Sequence, residues 1–163
     1  MPRLKLHSAA QKGLLLAAVV VAADQVVKIA VQRGLALWDR VQVIPGLFNL
    51  VHFRNRGAAF GILDSPDITW QNSLFISLTC LAGALILYML ATSRERDTWF
   101  CYGLGAILGG AVGNLVDRLR LGMVIDYLDF YLGSLHWPAF NIADAAISLG
   151  AVTVLLSCFT RRE

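Results

Sequence analysis

Long apolar runs separated by more polar segments dominate the pattern of hydrophobic and polar positions along this chain of 163 residues. Four of the runs have close to ~20 residues, the length at which an α-helix crosses the hydrocarbon core of a bilayer. They predict membrane spans at approximately residues 13–32, 70–92, 98–117 and 140–160. The first span ends without a small-residue cleavage site, so we interpret it as a retained helix and not as a signal peptide.

The composition favours a membrane protein of one domain. Hydrophobic residues make up 57% of the chain and charged residues only 15%, whereas a soluble domain of this size would expose more charge. We therefore expect residues 1–163 to form a single membrane-embedded domain. The net charge of +3 is modest, and the chain lacks the clusters of basic residues with interleaved aromatics that are typical of a nucleic-acid-binding protein. His52 and His136 lack a third metal ligand, so we do not expect a metal site at these histidines.

The distribution of basic residues indicates how the spans lie in the membrane. Four spans bring both termini to the same side, together with the hairpin at residues 94–97. The two tails and this hairpin concentrate seven Lys or Arg in a short length of chain, whereas basic residues on the other side are spread over longer segments. The positive-inside rule therefore predicts that both termini are cytoplasmic.

Two segments on the predicted outer side are too long to be simple connections. Residues 41–45 and 47–53 are rich in β-forming residues and flank the turn signal Pro45-Gly46, which predicts a small antiparallel sheet on the outer face. Residues 121–137 carry several aromatics of the kind found at headgroup level, so we expect a short interfacial helix there. The predicted fold class is an all-α membrane protein of four transmembrane helices, with this sheet and this interfacial helix added.

Polar residues from five separate parts of the chain are predicted to lie near one level, the outer end of the spans. The inner halves of the last three spans carry almost no such residues. This asymmetry is the strongest evidence for a functional site. The converging residues are Asp24, Lys28, Asn55, Asn114, Asp117, Arg118, Asp126, Asn141 and Asp144.

Asp144 needs an explanation because it precedes sixteen uncharged residues, Ala145 to Thr160. A carboxylate within such a segment costs roughly 2.5–3.5 kcal/mol on insertion scales, so it normally has a partner or a function. The candidate partner is Asp126, which lies just after the third apolar run. Two carboxylates brought together at a membrane edge suggest acid–base chemistry with a shared proton.

Simpler interpretations remain open for the other polar residues. Asp24 and Lys28 are four apart on one helix face and could form an ion pair that only holds helices together. Asp117 and Arg118 could form an interfacial pair that ends a span. Asp129, three residues after Asp126, is interpreted as a solvated neighbour. The glycines of the third span are expected to allow close helix packing; they are Gly105, Gly109, Gly110 and Gly113.

Two functions of other classes compete with an enzyme. A small proton- or ion-coupled carrier could use Asp24, Lys28 and Asp144 as a relay, but it would need polar residues through the full depth of the membrane. A structural subunit of a membrane assembly would leave the pairing of Asp126 with Asp144 unexplained.

Five short blocks lie around the polar residues. They are Asp24-Gln25-Val26-Val27-Lys28, Asn55-Arg56-Gly57-Ala58-Ala59-Phe60, residues 109–118 (GGAVGNLVDR), Val124-Ile125-Asp126-Tyr127 and Phe140-Asn141-Ile142-Ala143-Asp144. In this order they resemble the successive motifs of bacterial lipoprotein signal peptidase, also called signal peptidase II. One block would be a weak signal, whereas five in order on a four-span chain are specific. Arg56 lies at a position that varies in that family, and Tyr127 replaces a more usual Phe.

The resemblance implies an intramembrane aspartyl endopeptidase. Such an enzyme removes the signal peptide from diacylglyceryl-modified prolipoproteins and cuts on the amino side of the lipidated cysteine. Matching positions imply a catalytic pair, Asp126 and Asp144. They also imply substrate contacts from Asn55, Asn114, Arg118 and Asn141, and supporting roles for Asp24, Lys28, Gly57 and Asp117.

The same resemblance sets expectations for partners and location. It implies inhibition by globomycin in the substrate cleft, no metal or organic cofactor, and contact with membrane lipid. We expect a monomer in the bacterial cytoplasmic (inner) membrane, with the active site near the outer face.

Overall fold

The computed structural model describes residues 7–57, 70–94 and 97–160. These residues form four long helices: α1 (Ser8–Gly34), α2 (Gln71–Thr92), α3 (Thr98–Leu121) and α4 (Ile142–Thr160). All four are long and apolar enough to cross a membrane. The predicted four-helix architecture is confirmed. α1 begins earlier and α3 ends later than the apolar runs alone indicate, since both helices continue into polar residues at their ends.

α3 packs closely against two neighbouring helices through its glycines. A Cβ at Gly109 would lie 2.7 Å from the carbonyl oxygen of Ala17 on α1, and a Cβ at Gly110 would meet the carbonyl oxygen of Ala143 on α4. Only positions without a side chain allow backbones to approach this closely. The expected packing role of the glycine face is therefore confirmed. α2 is more peripheral, and several of its leucines are exposed, as expected for a helix that faces lipid.

The strands form a single antiparallel sheet in the order β1-β2-β3-β4. They are β1 (Arg40–Ile44), β2 (Phe48–Asn55), β3 (Val124–Leu132) and β4 (Leu135–His136). β1 and β2 are the hairpin that the sequence predicts. Its turn contains Gly46 at φ +77°, a left-handed conformation that glycine adopts without steric cost.

The prediction of a short interfacial helix within residues 121–137 is wrong. Most of this segment is β3, which pairs with β2 from Phe48↔Phe130 to Asn55↔Val124. Gly122, at φ +72°, ends α3 in a left-handed cap, and its N–H donates to the carbonyl of Arg118 at 3.0 Å. The chain then runs back along β2, whose free edge supplies backbone hydrogen bonds that an isolated interfacial helix would lack.

β3 also connects directly to the start of α4. The N–H groups of Tyr127 and Leu128 donate to the carbonyl of Phe140 at 3.0 and 2.8 Å, and the N–H of Phe140 donates to Leu128 at 3.0 Å. These bonds place the strand that carries Asp126 beside the first turn of the helix that carries Asp144. We call this end of the bundle, where the sheet is attached, the sheet end.

Candidate active site

A cavity of 420 Å³ opens at the sheet end. Asn114 and Arg118 of α3, Asp126 of β3 and Asp144 of α4 all contribute to its polar wall, and Asn55 at the end of β2 completes it. Residues 137–140, together with Leu149 of α4, provide an apolar wall. The structure thus brings together both predicted carboxylates and most of the predicted polar set around one cavity.

Asp126 is 4% exposed and is held by two amide side chains. Its Oδ2 accepts a hydrogen bond from Asn55 Nδ2 at 3.2 Å, and its Oδ1 accepts one from Asn141 Nδ2 at 2.9 Å. Burial, followed by the negative charge of Asp144, raises the pKa of Asp126 to about 7. Asp126 can therefore give up or take up a proton near neutral pH, as an acid–base residue must.

Asp144 and Asn141 cap the start of α4 reciprocally. The side-chain Oδ1 of Asn141 accepts from the N–H of Asp144 at 2.9 Å, and Asp144 Oδ2 accepts from the N–H of Asn141 at 3.2 Å. This arrangement is a capping box, in which two residues three apart satisfy each other's N–H groups. The spacing Asn-Ile-Ala-Asp is the sequence signal for it. Asp144 therefore has a structural role in addition to its place in the cavity wall.

Asn141 touches both carboxyl groups but does not itself line the cavity. It is fully buried, and its Nδ2 also donates to the carbonyl of Ile125 at 3.1 Å. The substrate contact predicted for Asn141 stays a prediction, and in this geometry a substrate in the cavity would meet the carboxylates first. Asn141 instead ties the two carboxyl groups together from behind.

Lys28 connects Asp144 to a buried charge network. Its Nζ lies 2.8 Å from Asp24 and 2.7 Å from Asp117, and it donates to Asn114 Oδ1 at 2.9 Å. Because Asn114 Oδ1 accepts this hydrogen bond from Lys28, the side-chain amide nitrogen of Asn114 faces Asp144 and donates to its Oδ1 at 2.8 Å. The Asp24–Lys28 pair thus joins helices and also orients a residue of the cavity wall.

The alternative of an Asp117–Arg118 pair does not fit the contacts of the described residues. Asp117 faces Lys28 and also accepts from the N–H of Ile125 at 3.2 Å. Arg118 donates to the carbonyls of Arg56 and Gly57, at 3.3 and 2.8 Å, and its guanidinium lies 4.3 Å from the ring centre of Phe75. Arg118 therefore holds the chain that follows β2.

Gly57 supports the cavity wall through its backbone, since its N–H donates to Asn55 Oδ1 at 2.8 Å. Gln25 also belongs to the network, although the sequence did not predict this role. Its Nε2 donates to Asp117 Oδ1 and to the carbonyl of Gly113, both at 3.1 Å. Its position beside Asp24 in the first of the five blocks was the feature that could have indicated this role.

The interpretation of Asp129 as a solvated residue is wrong. Asp129 is 3% exposed and accepts hydrogen bonds from Asn49 Nδ2 and His136 Nδ1, both at 2.8 Å. Burial raises the pKa of Asp129, but the hydrogen bonds from Asn49 and His136 lower it by a larger amount. The pKa of Asp129 therefore lies below its usual range. These partners come from β2 and β4, which local sequence cannot predict, and they fix the outer strands of the sheet.

Charged residues do not extend through the bundle among the described residues. Toward the end opposite the sheet, α1 and α3 pack through Gly13, Ala17 and Gly105, with direct backbone contact between Gly13 and Gly105. A proton or ion relay through Asp24, Lys28 and Asp144 would therefore end at Asp24, which argues against a carrier.

Comparison with known proteins extends this description. A family model described as signal peptidase (SPase) II matches residues 16–160. The lipoprotein signal peptidase of Maridesulfovibrio salexigens is 48% identical over 148 residues, which cover 91% of this chain and 95% of that protein. The lipoprotein signal peptidase of Nitratidesulfovibrio vulgaris is 47% identical over 144 residues, covering 88% and 87%. A solved bacterial membrane enzyme superposes with a TM-score of 0.82 at 26% identity and covers 94% of this chain and 90% of its own.

Proposed function

The chain belongs to the signal peptidase II family, and we propose that it is an aspartyl endopeptidase that removes the signal peptide from diacylglyceryl-modified prolipoproteins. Membership makes it a multi-pass bacterial membrane peptidase. The aspartyl mechanism rests on one observation above all: the carboxyl groups of Asp126 and Asp144 both accept hydrogen bonds from Asn141, and both line the same cavity.

The two carboxyl groups have different roles in this mechanism. Asp126 carries a proton near neutral pH, because burial and the charge of Asp144 raise its pKa to about 7. Asp144 is the ionised partner. Two amide groups donate to its oxygens, and the N-terminus of α4 favours negative charge there.

Hydrolysis then proceeds without a covalent enzyme intermediate. Asp144 takes a proton from a water molecule, whose oxygen attacks the carbonyl carbon before the lipidated cysteine. Protonated Asp126 donates to the carbonyl oxygen and stabilises the charge that develops on it. The C–N bond breaks as Asp144 passes the proton that it took from water to the cysteine nitrogen. The products are a signal peptide with a new terminal carboxyl group and a lipoprotein with a free amine, and Asp144 is ionised again.

Asn55, Asn114 and Arg118 are the proposed substrate contacts, since all three line the cavity. The first two also hold the catalytic carboxylates, whereas Arg118 holds the chain beside Gly57. These contacts within the protein hold the three side chains in position before substrate binds.

The apolar wall suits a lipid-modified substrate. Trp137 is 59% exposed at the rim, and Leu149 continues the wall along α4. We propose that the signal helix lies beside α4 while the acyl chains stay in lipid. The same proposal includes cytoplasmic termini, a site near the outer face of the cytoplasmic membrane, inhibition by globomycin and a monomeric enzyme.

The test uses purified protein in lipid with one prolipoprotein prepared in two forms, with and without the diacylglyceryl group. We expect a gel shift only for the modified form, and mass spectrometry should find the lipidated cysteine at the new N-terminus. Equal cleavage of the two forms would indicate a general membrane protease instead.

A further inference from the structure

Most of the apolar wall of the cavity is a short stretch of chain between the sheet and α4. We call this stretch, residues 137–140, the wall segment; it directly follows β4, a strand of only two residues. Pro138 within it has no N–H, so the wall segment cannot form a complete ladder of hydrogen bonds with the sheet. Its position therefore depends on how its two ends are held.

The two ends of the wall segment are held differently. At Phe140 the N–H donates to the carbonyl of Leu128 at 3.0 Å, and the N–H of Leu128 donates back at 2.8 Å. The ring of Phe140 also stacks on that of Phe130, with ring centres 5.9 Å apart. At the other end the N–H of Trp137 donates to the carbonyl of Phe130 at 2.8 Å. The two-residue strand before Trp137 adds few backbone bonds, so this end gains more from a side-chain contact.

His136, the residue before the wall segment, supplies that contact. Its Nδ1 lies 2.8 Å from Asp129 Oδ1 on β3. Asp129 is ionised, because its pKa lies below the usual range, so its oxygens only accept and Nδ1 of His136 is the donor. The other oxygen, Oδ2, accepts from Asn49 Nδ2 at 2.8 Å and lies 3.7 Å from the guanidinium of Arg40. His136 is thus tied to a buried carboxylate that two further strands hold in place.

The ring of His136 makes a second, separable contact with Tyr131. The two rings are nearly parallel, at 11°, and their centres lie 4.9 Å apart. Stacking needs only an aromatic ring, whereas the bond to Asp129 needs a nitrogen donor at the position of Nδ1. Substitution can therefore separate the two contacts: Phe retains the ring, and the side-chain amide of Asn retains a donor close to the position of Nδ1.

We propose that Asp129 and His136 are positioning residues, which hold the wall segment against the sheet and so set how tightly the cavity binds its lipidated substrate. The proposal rests on the function proposed above. Neither residue is among the described residues that line the cavity, and the hydrogen bonds that hold the two catalytic carboxyl groups come from other side chains. Loss of the tie should therefore weaken substrate binding and leave the chemical step unchanged.

The test compares two substitutions of His136 by steady-state cleavage of a diacylglyceryl-modified prolipoprotein in lipid. His136 lies at the surface, so both variants should fold. For His136→Phe we expect KM to rise about fivefold to tenfold with kcat within about twofold, which is the signature of binding lost equally in the ground and transition states. His136→Asn should keep KM within about twofold of the unmodified protein, because its amide can still donate to Asp129.

His52→Phe is the matched control. It also replaces an imidazole of the sheet by a phenyl ring and removes one hydrogen bond, from Nδ1 of His52 to the carbonyl of Leu35 at 3.0 Å. His52 is not among the described residues that line the cavity, and its bond joins β2 to the end of α1. We expect KM and kcat of this variant to match those of the unmodified protein.

Hydrogen exchange supplies a readout that is independent of activity. In His136→Phe the amide of Trp137 should exchange faster, because the end of the wall segment nearer β4 is loosened. The amide of Phe140 should exchange at an unchanged rate, because its backbone bonds with Leu128 remain. In His136→Asn both amides should be as protected as in the unmodified protein.

An unchanged KM in His136→Phe would overturn the proposal, and a lower melting temperature with unchanged KM would show that the pair serves stability alone. An equal rise in KM in both His136 variants would also overturn it, because the hydrogen bond would then not be the cause. If the unmodified protein fails to cleave lipidated precursor, the proposed function is contradicted. The exchange rates at Trp137 and Phe140 would still decide whether the tie holds the wall segment.

Discussion

Replacing Asp126 by Asn should change how the stability of the protein depends on pH. The pKa of Asp126 is raised from 3.8 to about 7 in the folded protein, mainly by burial. Below pH ~4 the carboxyl is protonated in both the folded and the unfolded chain, so it carries no penalty. Between pH ~4 and ~7 the unfolded chain releases the proton while the folded chain retains it, so the free energy of unfolding falls as the pH rises.

The magnitude follows from the pKa difference. Each unit corresponds to about 1.4 kcal/mol, so the gap of about 3 units removes about 4 kcal/mol of stability by pH ~7, with little further change above it. Asn at position 126 has no charge to bury, so this loss should be absent. The substitution also rearranges hydrogen bonds with Asn55 and Asn141, but that effect does not vary with pH.

Thermal unfolding in detergent between pH 4.5 and 8 (about the expected window) measures the effect. The melting temperature of the unmodified protein should fall across this range more steeply than that of Asp126→Asn. Asp39→Asn is the control, because it removes the same charge at an exposed position outside the cavity. Parallel curves for Asp126→Asn and the unmodified protein would refute the buried, proton-retaining carboxyl.

Three further predictions concern the cavity and its supports. Cleavage should decline as the pH rises through about 7, because Asp126 must be protonated to act as the acid, and a rate that keeps rising to pH ~9 would contradict this role. Arg118→Lys should lower kcat/KM by a factor that corresponds to a loss of about 1–3 kcal/mol in transition-state stabilisation, because one ammonium cannot hold two carbonyls as the guanidinium does. The measurement is activity per folded molecule, and an unchanged kcat/KM would contradict the prediction. Lys28→Met should lower the free energy of unfolding by about 3–5 kcal/mol, because Asp24 and Asp117 would be buried without their cation. Chemical unfolding in detergent measures this loss, and a much smaller loss would contradict the prediction.

The sequence predicted the helices well because long apolar runs have few structural options. A run of about 20 uncharged residues can satisfy its backbone in lipid only as a helix. The β1–β2 hairpin was also predictable, since Pro45-Gly46 separates two β-rich stretches. β3 was not, because its partner β2 lies far away in sequence and strand formation depends on that context.

The sequence predicted which residues lie near the candidate site, but not which contacts they make with one another. The predicted order and direction of the spans already placed Asp126 and Asp144 at the same depth, near the outer end of the spans. Local spacing could not show that Asp117 faces Lys28 while its neighbour Arg118 faces the chain after β2, because adjacent helix residues point in different directions. The sequence also could not show that Asn141 is buried and hydrogen-bonded to both carboxyl groups, since its partner Asp126 lies on a separate strand.

Cleavage of diacylglyceryl-modified prolipoprotein by the purified Asp126→Asn and Asp144→Asn variants is the decisive measurement for the aspartyl mechanism. Both variants should insert and fold, since Asn keeps the shape of each side chain, and a matched thermal unfolding curve verifies this. We expect neither variant to produce the shifted band under conditions in which the unmodified protein completes the reaction. Near-normal turnover by either folded variant would contradict an aspartyl mechanism built on these two residues.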